Sequence, residues 1–61
     1  MQTELIKQFI GKKCIINLMT GNETFIGTIK ETESYWLIIE EDDSLRLING
    51  VAIRDIKIIN D

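Results

Sequence analysis

Isoleucine constrains this chain more than any other residue, because it occupies 13 of the 61 positions while alanine occurs once and proline is absent. β-Branched side chains lose rotamer freedom in helices and pack well on a pleated sheet. The isoleucines also fall into short runs that are separated by turn-forming residues. The sequence therefore predicts a mainly β fold rather than a helical bundle.

Five short strands are predicted from these runs and the turn signals between them. Asn49-Gly50 is the strongest tight-turn signal, and Gly27 lies in mid-strand, which is typical of a sharp bend. Burial of this pattern predicts a strongly bent five-stranded antiparallel sheet or a small barrel. The strands are expected at about residues 13–19, 23–31, 35–40, 45–48 and 53–59.

A short α-helix at about residues 3–10 is predicted ahead of the first strand. Thr3 is a suitable N-cap and Gly11 a suitable stop. One stripe of this segment is apolar, so the helix is expected to lie on the sheet. The stripe consists of Leu5, Ile6, Phe9 and Ile10.

The residue counts exclude several kinds of chemistry. The chain has no histidine, so imidazole-assisted nucleophiles, proton shuttles and imidazole metal ligands are ruled out. Cys14 is the only cysteine, which rules out an intrachain disulfide and a thiolate zinc site. We expect Cys14 to be a small buried hydrophobe. No catalytic residue, metal ligand or cofactor is expected, and hence no enzyme.

The small size of the chain bears on how it assembles. A 61-residue core without disulfide or metal supplies roughly 3–5 kcal/mol. Apolar residues nevertheless make up 44% of the chain, so we expect it to complete its core by pairing with copies of itself.

Residues 1–4 lack a basic region and no long apolar stretch follows. The pattern predicts neither a signal peptide nor a membrane span, and a cytoplasmic protein is expected.

Acidic residues outnumber basic ones, with ten Asp and Glu against seven Lys and Arg and a net charge of −3. This excludes a uniformly basic nucleic-acid clamp but leaves room for a local basic face. The acidic run at residues 40–43 matches no calcium loop and is expected to be a solvated hairpin tip. Tyr35 and Trp36 should point to opposite faces of a strand. One of them is expected to lie in the core and the other to be exposed or at a subunit contact.

Several segments resemble the Sm-like family, including its bacterial branch Hfq. Residues 16–21 and 25–29 follow the family pattern of apolar-x-apolar-x-x-Gly and then Gly-x-apolar. Glu33 occupies the acidic position that follows, and residues 52–56 are similar to the Ala-Ile-x-x-Ile segment of Hfq. The resemblance spans nearly the whole chain and implies a single Sm-like domain over residues 1–61.

This resemblance implies a homo-oligomeric ring of five to seven subunits that binds single-stranded, uridine- or adenosine-rich RNA. The ring would close by pairing the fourth strand of one copy with the fifth of its neighbour, through candidate interface residues Leu45, Leu47, Ile56 and Ile58. Tyr35 matches an aromatic that stacks on a base. Trp36 stands where Sm proteins have Met, and the resemblance therefore implies that Trp36 is the buried one of the two. The other candidate RNA-binding residues are Lys30 and Arg54, near phosphates, and Asn49.

The chain departs from the family pattern at several positions. Leu37 stands where Sm proteins have the Asn that reads a base edge, and residues 49–51 replace the Tyr-Lys-His segment of Hfq. Arg54 matches the Arg of an Arg-Gly pair, whereas Asp55 replaces its Gly. These differences and the acidic balance leave a second hypothesis open. It is an SH3-like protein-interaction or scaffold module that does not bind nucleic acid.

Overall fold

The computed structural model describes residues 5–59. Within this range two short 3-10 turns, Ile6–Phe9 and Gly50–Ala52, accompany five strands. The mainly β prediction is therefore confirmed. The strands are β1 (Lys13–Leu18), β2 (Thr24–Glu33), β3 (Trp36–Glu41), β4 (Ser44–Asn49) and β5 (Ile53–Ile58).

The five strands form one antiparallel sheet in the order β4-β3-β2-β1-β5. Strands β4 and β5 are its two edges and do not pair with each other in this order. The sheet is therefore open, and the closed barrel that the sequence allowed is not confirmed.

Strand β2 is shared between two neighbours. Its first half pairs with β1 and its second half with β3, and Thr28 faces a partner in both. Lys30 is an extra residue in the pairing with β3, because Ile29 faces Ile39 while Glu31 faces Ile38. Such a bulge bends a strand and increases its twist.

Gly27 lies just before this change of partner and is buried. A Cβ atom at Gly27 would lie 2.5 Å from Cγ2 of Ile39 and 2.6 Å from the carbonyl oxygen of Glu40. Real Cβ atoms do not come this close to other heavy atoms. The glycine predicted to mark a sharp bend therefore permits the close approach of β2 and β3.

The core lies on the inner face of the sheet, under the first 3-10 turn. Cys14 is wholly buried with a free thiol, as predicted. Burial raises its pKa, and the nearby charge of Lys12 offsets this only in part. The buried apolar residues are Ile6, Cys14, Ile16, Ile29, Leu37, Ile39, Ile48 and Ile53.

The α-helix predicted at residues 3–10 is wrong in the described part of the chain. Only Ile6–Phe9 is helical, as a 3-10 turn, and Ile10 is already extended. The Gly11 N–H then donates to the carbonyl of Ile29 at 2.7 Å, which ties the chain to β2. So short a segment has little helical stability of its own, and this tertiary contact ends it. The predicted cap, Thr3, lies outside the described residues.

The prediction that Trp36 is buried is also wrong. Trp36 is 43% exposed and Tyr35 is 54% exposed, whereas Leu37 is fully buried. Successive side chains of a strand point to opposite faces, and β3 directs Leu37 and Ile39 inward. Trp36 consequently lies on the outer face.

Candidate functional site

Two connections meet at one end of the sheet. The β2–β3 turn contains Ser34 and Tyr35, and the second 3-10 turn links β4 to β5. The Gly50 N–H donates to the carbonyl of Tyr35. A Cβ at Gly50 would lie 2.7 Å from that carbonyl oxygen, so glycine is what allows the two connections to touch. Two predicted RNA-binding residues, Tyr35 and Asn49, are thereby brought to the same end of the molecule.

Tyr35 and Asn49 differ in how far their side chains are available to a ligand. The Tyr35 side chain is 54% exposed, so its ring is accessible for stacking. The Oδ1 atom of Asn49 accepts a 2.9 Å hydrogen bond from the Val51 N–H and caps the second 3-10 turn. The carbonyl end of the Asn49 side chain is therefore engaged in local structure.

Lys30 lies away from this end. It is the bulged residue of β2, with three further β2 residues and the turn between it and Tyr35. That amounts to about 10 Å or more along the strand. Its Nζ atom lies 3.8 Å from Oε1 of Glu40, and both side chains are about half exposed. The structure does not bring Lys30 and Tyr35 together.

Arg54 is the bulged residue of the edge strand β5. Asn17 faces Asp55 and Leu18 faces Ile53, which leaves Arg54 unopposed. Its Nε atom donates to Oδ2 of Asp55 at 3.1 Å. Arg54, a predicted RNA-binding residue, is thus paired with the carboxylate of its neighbour.

Asp55 belongs to a polar network across the outer face of three strands. Thr24 Oγ1 donates to Asn17 Oδ1 at 2.8 Å, and Asn17 Nδ2 donates to Asp55 Oδ1 at 2.7 Å. The hydrogen bond from Asn17, with a second from Arg54, lowers the pKa of the Asp55 carboxyl. The network connects β2, β1 and β5 and helps to fix the register of β5.

We expect Asp55→Ala to lower the free energy of unfolding at pH 7 and to matter less in acid. Asp55 has a lowered pKa when folded, so its contribution is present above pH about 4. The contribution is lost as the pH falls through the folded-state pKa. Chemical denaturation of native and variant protein at pH 7 and near pH 2 measures the difference. Asp43→Ala, in the exposed β3–β4 turn, is the matched control, and an equal loss in both variants would contradict the expectation.

The four candidate interface residues lie on two different faces. Leu45 and Leu47 are on the outer face of edge strand β4 and are 67% and 60% exposed. Ile56 and Ile58, on edge strand β5, are partly buried and pack against the core. The apolar side chains of edge strand β4 thus point outward to solvent, whereas those of edge strand β5 point inward to the core.

The acidic run at residues 40–43 forms the end of β3 and the β3–β4 turn. Glu41 accepts from Arg46 Nε at 2.8 Å, and the guanidinium of Arg46 lies 4.3 Å from the centroid of the Phe25 ring. In residues 5–59 no group of three or more acidic or cysteine side chains is placed to hold a metal ion.

Sequence reasoning missed a set of residues on the outer face of β2 and β3. Glu31 and Glu33 face Ile38 and Trp36 across the two strands. No period-two alternation marks this face, because residues 30–33 are all polar and residues 36–39 are all apolar. Only the register of β2 and β3 brings these carboxylates beside Trp36.

Comparisons with protein-family models, curated proteins and solved structures give no match to this chain. Across the described range, no helix has the length and apolar character needed to cross a membrane.

Proposed function

We propose that this chain is the subunit of an Sm-like homo-oligomeric ring, cytoplasmic and non-catalytic, that binds single-stranded RNA. The observation that carries the proposal is the open strand order, with β4 and β5 at the two edges of one sheet. Pairing β4 of one copy with β5 of the next gives every edge a partner. A head-to-tail contact of this kind forms a closed ring when its rotation permits.

The exposed side chains of β4 support self-association. An edge strand with unpaired backbone groups and exposed Leu45 and Leu47 promotes uncontrolled pairing unless it is covered. Ring closure covers it with a strand of the same chain. It also extends the sheet from copy to copy, which compensates for the small core of 61 residues.

The RNA-binding part of the proposal depends on Tyr35. The β2–β3 turn presents the exposed Tyr35 side chain beside the connection to β5. A closed assembly of subunits repeats this side chain around one axis. Aromatic stacking tolerates any base, so the lack of the family's base-reading Asn at Leu37 is compatible with weakly selective binding. Lys30 and Arg54 are each paired with a carboxylate, and their attraction for phosphates is correspondingly reduced.

We expect fluorescent oligo-U to bind the native protein at micromolar concentration in low salt, and Tyr35→Ala to weaken this binding about tenfold. The loss corresponds to one stacked base. Tyr35→Phe keeps the ring and should bind like the native protein. Fluorescence anisotropy measures all three affinities. Absence of any anisotropy change with the native protein, or equal binding by the alanine variant, would contradict RNA binding at Tyr35.

The alternative function is that of an SH3-like protein-interaction module without nucleic-acid binding. The exposed apolar side chains of the outer face favour it, since Trp36 and Leu47 are large and accessible. A native protein that fails to bind oligo-U while retaining a protein ligand would support this alternative.

A further inference from the structure

The outer face of β2, β3 and β4 carries a regular arrangement of acidic and apolar side chains. Residues that face one another across adjacent strands of an antiparallel sheet lie side by side on the same face. Two such rows run across the three strands here. They are Glu33, Trp36 and Asn49, and then Glu31, Ile38 and Leu47.

These rows form a shallow groove, which we call the acid-rimmed groove. Its floor is Trp36 and the partly buried Ile38. Leu47 forms one wall, and Glu31 and Glu33 line the other. An apolar floor beside two carboxylates suits a ligand that is both apolar and cationic.

Glu31 and Glu33 have no cationic partner among residues 5–59. The three ion pairs in that range join Lys30 to Glu40, Arg46 to Glu41 and Arg54 to Asp55. Residues two apart on a strand lie about 7 Å apart on the same face. The two carboxylates therefore repel each other and create a local negative potential beside the exposed ring of Trp36.

We propose that the acid-rimmed groove binds a basic peptide segment of a partner protein, in which arginine or lysine side chains flank a large apolar one. A guanidinium or ammonium group stacks on Trp36 and forms charge-assisted hydrogen bonds with Glu33 and Glu31. The apolar side chain of the peptide packs between Ile38 and Leu47. Two carboxylates without a cationic partner among residues 5–59 repel the phosphates of nucleic acid, so the groove itself is expected to favour a cationic peptide over RNA.

The inference does not depend on ring formation. Strand pairing uses the free backbone groups at the edge of β4, whereas the floor of the groove lies on the outer face of β3. Substitutions of Glu31 and Glu33 should leave the solution mass unchanged and should not weaken oligo-U binding. Failure of this proposal can therefore be distinguished from failure of the proposed function.

Trp36 is the only tryptophan, so its fluorescence reports directly on the groove. The probe is a short peptide of alternating leucine and arginine with blocked ends, compared with the same peptide in which glutamate replaces arginine. We expect a saturable change in Trp36 emission with the basic peptide only. No saturable change, or an equal response to the acidic peptide, would overturn the proposal.

Two double variants separate local recognition from long-range attraction. Glu31→Gln with Glu33→Gln, and Asp42→Asn with Asp43→Asn, each change the formal net charge from −3 to −1. We expect the first pair to raise the dissociation constant of the basic peptide about tenfold and the second to leave it within about twofold. Equal weakening in both, or displacement of the peptide by oligo-U, would show that the groove is not a specific site for basic peptides.

Discussion

Replacement of Gly27 by alanine is expected to lower the free energy of unfolding by about 2–3 kcal/mol. The added methyl group would lie 2.5 Å from Cγ2 of Ile39 and 2.6 Å from the backbone oxygen of Glu40. The side-chain contact can relax by rotation, but the backbone contact relaxes only if β2 and β3 move apart. A chain of this size has roughly 3–5 kcal/mol to lose, so the substitution should remove a large part of its stability.

Gly21→Ala is the matched control for this substitution. Gly21 has a φ of +64° in an open turn, and its nearest neighbour would be 4.0 Å away. The same methyl group there costs about 1 kcal/mol for the left-handed backbone and no steric clash. Urea denaturation at one protein concentration measures both losses. If Gly27→Ala costs no more than Gly21→Ala, the close approach of β2 and β3 does not constrain the fold as we describe.

The double variant Leu45→Lys with Leu47→Lys is expected to convert the proposed ring into single chains. Lysine on an edge strand discourages pairing with another strand, because its ammonium group must stay hydrated. One of the new ammonium groups lies across from Glu40, so the fold of the single chain should be retained. Oligo-U binding should fall as well, since the tyrosines are no longer gathered around one axis.

A control that adds the same charge elsewhere isolates the effect of the edge. Leu5→Lys with Met19→Lys replaces two comparably exposed apolar side chains that lie outside the strands. We expect this variant to keep the native mass. Dissociation of both variants, or of neither, would mean that β4 is not a subunit interface.

Much of the fold could be predicted because its signals are local. The abundance of isoleucine, in segments separated by turn residues, indicated the mainly β class. Cys14 was correctly assigned to the core, since a lone cysteine in an apolar run behaves as a small hydrophobe. Gly27 stood out because a glycine in a strand interior is typical of a sharp bend. In the structure it permits a close approach between two strands.

The errors arose where tertiary contacts override local preference. The apolar stripe before Gly11 is compatible with a helix, but hydrogen bonds to β2 end it after one 3-10 turn. Trp36 was assigned to the core by analogy with the family, whereas the register of β3 places Leu37 there instead. A one-residue shift in a strand reverses every side chain, so the acid-rimmed groove remained hidden until the register was known.

The neutralised cations could not be predicted from sequence spacing alone. Lys30 and Glu40 are ten positions apart and meet only because β2 pairs with β3. Arg54 and Asp55 are adjacent and would point to opposite faces of a regular strand, but Arg54 is the bulged residue of β5 and its Nε atom reaches Asp55. These pairings reduce the positive charge that the candidate RNA-binding residues offer.

The most direct test of the central claim is the absolute mass of the native protein in solution, measured by light scattering behind a sizing column. Ring closure through β4 and β5 predicts a single species of five to seven times the 7.0 kDa of one chain, unchanged on dilution. A mass of one chain at every concentration would contradict the account.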